Sequence, residues 1–198
     1  MAARTRPYNA ESRLRKQAEL RAHIAEAAAA LHARKGALAT SYADIAGEAK
    51  VSLPTVYAHY PTLDALLDGC TRHVAARAPA LPVDGILAAQ TLRDAAEQLV
   101  DAMEQQHLHY EPWLSWREDR AIPFLADLSA RVRESSAALI GRVIRQHLGP
   151  GAHRELVSAW ETALSFDAWH RLARGHRLSR PAVRRTILQW LNVTRSKT

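Results

Sequence analysis

The sequence predicts an all-α protein, with an N-terminal three-helix helix-turn-helix domain followed by a C-terminal helical bundle, about nine helices in total. Three observations carry this. No segment alternates apolar and polar residues with period two, so strands are not expected. Ala, Leu, Arg and Glu dominate, and these are the stronger helix formers. Cap residues and Gly or Pro stops divide the chain into helix-sized pieces. With 198 residues, 47% of them hydrophobic and 24% charged, the chain can bury a core without covalent staples.

The first helix is expected over 11–35, with Leu20, Ile24, Ala27, Ala28 and Leu31 on one stripe and Gly36 as its stop. Thr40 or Ser41 caps a short helix reaching Ala49, whose buried side is Ile45, Ala46 and Ala49. Ser52 opens a third helix. Thr62 opens a fourth, carrying Leu63, Leu66, Leu67, Cys70 and Val74 up to a break over 79–85. Thr91, with Asp94 three residues on, caps a helix over 91–109. A broken aromatic stretch, YEPWLSWRED, precedes long helices over 122–148 and 153–174. Ser179 and Pro181 start a last one reaching about residue 193. The composition shift sets the expected domains: an arm and helix-turn-helix domain over 1–62, a connecting helix over 63–82, and a bundle over 83–198.

The formal net charge is +7, which favours an anionic partner. The first 35 residues hold eight basic residues against Glu11, Glu19 and Glu26, and the last twenty hold five and no acid. No apolar core follows the basic N-terminal segment, so export is not expected. No run approaches the roughly 18 apolar residues of a membrane span. The single cysteine, Cys70, excludes an intrachain disulfide. Together these give a cytoplasmic expectation with no membrane partner.

The stretch AKVSLPTVYAHYP, residues 49–61, is the most informative. Ser52 as N-cap accepts from a backbone N–H two or three residues on; Pro54 has none, so Thr55 must donate. Val51 and Val56 form a hydrophobic staple. At about 100° per residue Val56 and Tyr60 face inward with Leu53 beside them, and Pro54, Ala58 and Pro61 face out. Thr55 and Tyr57 flank that face and His59 sits at its edge. A small, uncharged outer face is poor for solvation and suited to a DNA major groove. Thr55, Pro54, Ala58 and Leu53 can reach thymine methyls, and Thr55 a base edge. Ser52, Tyr57 and His59 suit phosphates. Non-specific affinity would come from the arm, with Arg4, Arg6, Arg13, Arg15 and Lys16. Ser41 and Tyr42 are further candidates; Tyr42 has two readings, phosphate contact or packing on the first helix.

The stretch TSYADIAGEAKVSLPTVYAHYPTLDALLDG resembles the DNA-binding signature of the TetR (tetracycline repressor) family of bacterial transcription regulators. Thr40, Ile45, Ala46, Val51, Ser52, Thr55, Tyr57, His59, Tyr60, Leu66 and Leu67 occupy its positions, over about a quarter of the chain. Two residues depart from it. Lys50 replaces a turn glycine, where a left-handed backbone costs roughly 1 kcal/mol more than glycine. Leu63 replaces a phosphate-contacting lysine.

The resemblance implies a bacterial regulator, most often a repressor, released by a small-molecule effector. It also implies a homodimer in which the last two helices pair with their copies; Leu156, Trp160, Ala163, Leu164, Val183, Ile187, Trp190 and Leu191 would supply that surface. Two recognition helices about 34 Å apart, or a multiple, would read a palindromic double-stranded operator. His107, Glu111, Trp113, Trp116 and Trp160 are candidates for an effector pocket, with plain core the competing reading. No cofactor or metal is expected, because the histidines show no ligand spacing. No nucleophile motif points to an enzyme. The alternative function is a basic all-helical architectural protein that coats DNA without sequence preference.

Overall fold

The computed structural model describes residues 10–151 and 153–192, which form helices with no strand among them. The chain divides into two compact units, residues 1–77 and 78–198. Arg4 and Arg6 lie outside the described residues.

The first unit holds α1 (Ala10–Lys35), α2 (Tyr42–Glu48), α3 (Leu53–His59) and α4 (Leu63–Ala75). Its core gathers Ile24, Ala28 and Leu31 of α1 with Ile45, Val56, Tyr60, Leu66 and Leu67. α4 packs along α1 and so belongs to this core. Cys70 is buried near His32, Sγ to Nδ1 3.6 Å, and burial pushes its thiol up to about 12. The turn between α2 and α3 passes through Lys50 in the left-handed region, φ 53°, the backbone that glycine usually supplies.

Both caps of the helix pair form. Ser41 and Asp44 make a reciprocal capping box on α2, and Ser52 Oγ accepts from Thr55 N at 3.3 Å on α3. A seven-residue helix has little internal cooperativity, so its cap matters. Ser52→Ala is expected to destabilise the first unit by about 1 kcal/mol, measured as a shift in the denaturant midpoint at unchanged slope.

The second unit contains α5 (Val83–Leu87), α6 (Leu92–Leu114), a 3₁₀ turn (Glu118–Arg120), α7 (Pro123–Leu148), α8 (Arg154–Ala163), α9 (Phe166–His170), a π-helical turn (Arg171–Gly175) and α10 (Arg180–Trp190). Ile86, Leu99, Ile140, Ile144, Trp160, Trp169, Val183, Ile187 and Leu191 form one cluster. Arginines of the C-terminal segments bind the acids of α6. Arg184 reaches Asp101 and Glu97, Arg180 takes Glu104 through two 3.1 Å bonds, and Arg174 takes Glu111.

Three boundaries differ from expectation. α6 continues through Pro112 to Leu114; a proline this close to a helix end removes only one hydrogen bond of a long helix. The segment expected as one helix over 153–174 breaks at Leu164, because Ser165 accepts from Ala168 N at 3.2 Å and caps a new helix. The expected break over 79–85 contains the start of α5.

Candidate nucleic-acid interface

α3 presents its outer face as the residue types require. Val56 and Tyr60 are buried, while Leu53, Pro54, Tyr57, Ala58 and Pro61 are exposed and Thr55 and His59 half-buried. Leu53, expected beside the inward residues, is 39% exposed and joins the outer face. This face carries no formal charge. Ser52 Oγ and Thr55 Oγ1 lie 2.7 Å apart, which fixes both hydroxyls at the start of the helix.

Two expected contacts change meaning. Ser41 Oγ accepts from Asp44 N and donates to Asp44 Oδ2, so it is committed to the capping box rather than to phosphate. The Lys35 ammonium, 2.8 Å from Asp44 Oδ2, together with the Ser41 bonds, holds the Asp44 carboxyl well below the usual carboxylate range. Tyr42 stacks on Tyr57, ring centroids 4.6 Å apart and planes at 17°. Its hydroxyl is buried without a hydrogen-bond partner, and burial raises its pKa. Tyr42 is therefore a platform that orients Tyr57, not a phosphate donor in this conformation. Leu63, at the first turn of α4, is 41% exposed and offers phosphate no charge.

The residues expected to line an effector pocket do not converge. Trp160 is 0% exposed and its Nε1 donates to Leu191 O at 3.2 Å, so it is core. The Glu111 carboxylate is held by Arg174 at 2.5 and 2.6 Å, and that pairing lowers its pKa. Trp113 is half-buried and Trp116 exposed. His107 is buried and donates from Nε2 to Leu164 O at 2.9 Å, bonding the last turn of α8. It borders a void of about 10 Å³ lined by Val100, Met103, Glu104, Leu164, Trp169, Val183, Arg184 and Ile187, which is space for one water molecule.

Burial lowers the His107 pKa to about 4. A depressed imidazole pKa means that the unfolded chain binds the proton first, near its ordinary value of about 6.5. Stability contributed by the neutral ring is thus complete above about pH 6.5 and is lost as pH falls toward 4. His107→Gln is expected to flatten this part of the stability curve of the second unit, read by tryptophan fluorescence in denaturant titrations from pH 4 to 7.

The residues expected at a dimer interface separate as well. Trp160, Ala163, Leu164, Val183, Ile187 and Leu191 are each at most 5% exposed within the single chain and belong to its own core. Leu156 is half-buried. Trp190 is 51% exposed and borders an open groove of about 420 Å³ with Ser158, Ala159, Thr162, Ala163 and Ala168. An apolar stripe alone does not say which partner covers it; the closure of α10 over α6 and α8 decides that.

Comparison with known proteins meets this geometry at the N-terminal unit. The family described as bacterial regulatory proteins, tetR family, matches residues 24–70, from Ile24 of α1 through α2 and α3 to Cys70 of α4. The match covers about a quarter of the chain, the part that carries α2 and α3. No curated protein matches it by sequence. Among solved structures, the chain is similar to the crystal structure of the multidrug binding protein EbrR complexed with imidazole. The two are 22% identical with a TM-score of 0.58, over 90% of this chain and 93% of that one. At that identity the similarity establishes a shared fold. The described residues share the all-helical fold of this neighbour. No helix among the described residues is long and apolar enough to cross a membrane.

Proposed function

We propose that this regulator is a ligand-responsive cytoplasmic repressor, without catalytic activity, that binds a palindromic operator as a homodimer. The observation that carries the DNA reading is the exposed, uncharged outer face of α3, with Ser52, Tyr57 and His59 around it. Leu53, Pro54, Thr55 and Ala58 would contact bases in the major groove, and the basic residues of α1 and the segment before it would supply phosphate affinity. The domain reading is retained as a proposal: 1–62 binds DNA, 63–82 connects, and 83–198 senses ligand and dimerises.

The exposed Trp190 and its groove favour a second copy on the α8 and α10 side. An apolar groove of this kind is a common feature of homodimer surfaces. The effector site is assigned to the second unit, where the void beside His107 would enlarge around an apolar ligand. The multidrug binding described for EbrR supports an effector of this broad class. Control then follows from linkage: an effector that binds better to the conformation unable to span two half-sites lowers operator affinity by the same factor. α4, the last helix before the second unit, is the proposed lever.

Selection of random duplexes on the full-length protein tests this reading, with light scattering to give the mass. The expected result is an inverted repeat with half-sites about one helical turn apart or a multiple, bound by an assembly of twice the chain mass. Uniform recovery of all sequences would favour the architectural reading instead, and a monomer on an asymmetric site would remove the dimer.

A further inference from the structure

One arginine of α1 joins the end of α3, and Tyr60, at that end, packs against Gly69 of α4. Arg21 Nη1 donates to the His59 carbonyl at 3.0 Å, and its guanidinium carbon lies 4.5 Å from the Tyr60 ring centroid. The contact is reciprocal, since Tyr60 Oη donates to the Arg21 carbonyl at 2.9 Å. The Tyr60 ring is 1% exposed and fills the space over Gly69, where an added Cβ would come within 2.6 Å of it. The ring therefore has one seat, set by α4 on one side and Arg21 on the other.

The chemistry suits a helix end. The last carbonyls of a helix lack internal partners and carry partial negative charge, so a cation placed there is favourable. A planar guanidinium can bond the carbonyl and lie over an aromatic ring at once, which an ammonium does less well. α3 has only seven residues, so its axial position and rotation are set by what holds its ends. Ser52 secures the start and Arg21 the finish.

The geometry points to Arg21 as the positioning residue of the recognition helix: its exposed guanidinium is engaged by the His59 carbonyl and the Tyr60 ring, so it locks the end of α3 on α1 and serves sequence discrimination rather than phosphate affinity. This inference rests on the DNA-binding reading above. α1 also carries Arg13, Arg15 and Lys16 in its exposed first half, so the lock sets the register between these basic groups and the groove-facing side chains.

The two roles of an arginine near DNA separate experimentally. The probes are the duplex enriched by selection on the wild-type protein and a random-sequence duplex of equal length, each titrated over a range of salt concentrations. For Arg21→Ala, binding to the selected duplex is expected to weaken by about tenfold or more, while binding to the random duplex and the salt slope stay at wild-type values. Parallel loss on both duplexes, with the slope reduced by about one, marks a direct phosphate contact and overturns the inference. Unchanged binding to both also overturns it. If circular dichroism shows Arg21→Ala partly unfolded at the assay temperature, Tyr60→Phe gives the reading, because it removes only the hydroxyl bonded to Arg21. A several-fold loss confined to the selected duplex is expected, and equal binding to wild type overturns the lock. Absence of any enriched duplex for the wild-type protein would instead remove the sequence-specific reading itself, and this inference with it.

Discussion

Ala58→Glu is expected to reduce affinity of the full-length protein for its selected duplex by about 100-fold or more while leaving its thermal midpoint within a degree or two. Ala58 is exposed on α3, between the buried Val56 and Tyr60, so the larger side chain meets solvent and not the core. Glutamate is also a good helix former, and the fold has no reason to reject it. On DNA the carboxylate would stand among phosphates in a groove of strong negative potential, where like-charge juxtaposition costs several kcal/mol. Fluorescence anisotropy with the labelled duplex measures the loss. Ala58→Ser at the same position adds bulk and polarity without charge and should cost far less. Equal losses in the two variants would mean that shape and not charge governs this face. Wild-type affinity in Ala58→Glu would place α3 away from the groove.

Trp160→Ala is expected to destabilise the second unit by about 3–5 kcal/mol, the range for emptying a large aromatic site. Trp160 is wholly inaccessible and stands among Ala163, Ile187 and Leu191 in the cluster that joins α8 to α10. Its indole also donates to the Leu191 carbonyl at 3.2 Å, at the C-cap of α10, so the substitution leaves a cavity and removes a bond at a helix end. Denaturant unfolding followed by far-UV circular dichroism checks this. Trp190→Ala is the informative contrast, because Trp190 is half exposed. It should barely change the stability of the isolated chain and should weaken self-association, read by light scattering over a concentration series. A small effect of Trp160→Ala would contradict its place in the core.

The parts of the first unit that were legible in the sequence are those fixed by neighbours in the chain. Ser52 had to bond Thr55 because Pro54 has no N–H, and that bond forms. The resemblance placed Lys50 where a turn glycine is usual, and Lys50 does take the left-handed backbone. The role of Tyr42 was not legible, because its stack on Tyr57 brings together residues fifteen apart through the angle between α2 and α3. Arg21 was missed for a similar reason: it lies 38 residues from His59 and reads locally as one more solvated arginine on a basic helix. Its place three residues before Ile24, at the edge of the buried stripe of α1, was the one available signal.

By itself the sequence determined the helical class, the two short capped helices with a small uncharged outer face, and the family signature across them. Helix period, capping and turn stereochemistry act over three or four residues, and these are written in adjacent letters. Only the tertiary structure decided that Trp160, Val183, Ile187 and Leu191 close the chain's own core, that Ser165 starts a new helix, and that Arg21 secures the end of α3. Burial against a distant segment depends on how elements pack, and an apolar stripe is the same string of residues whichever surface covers it.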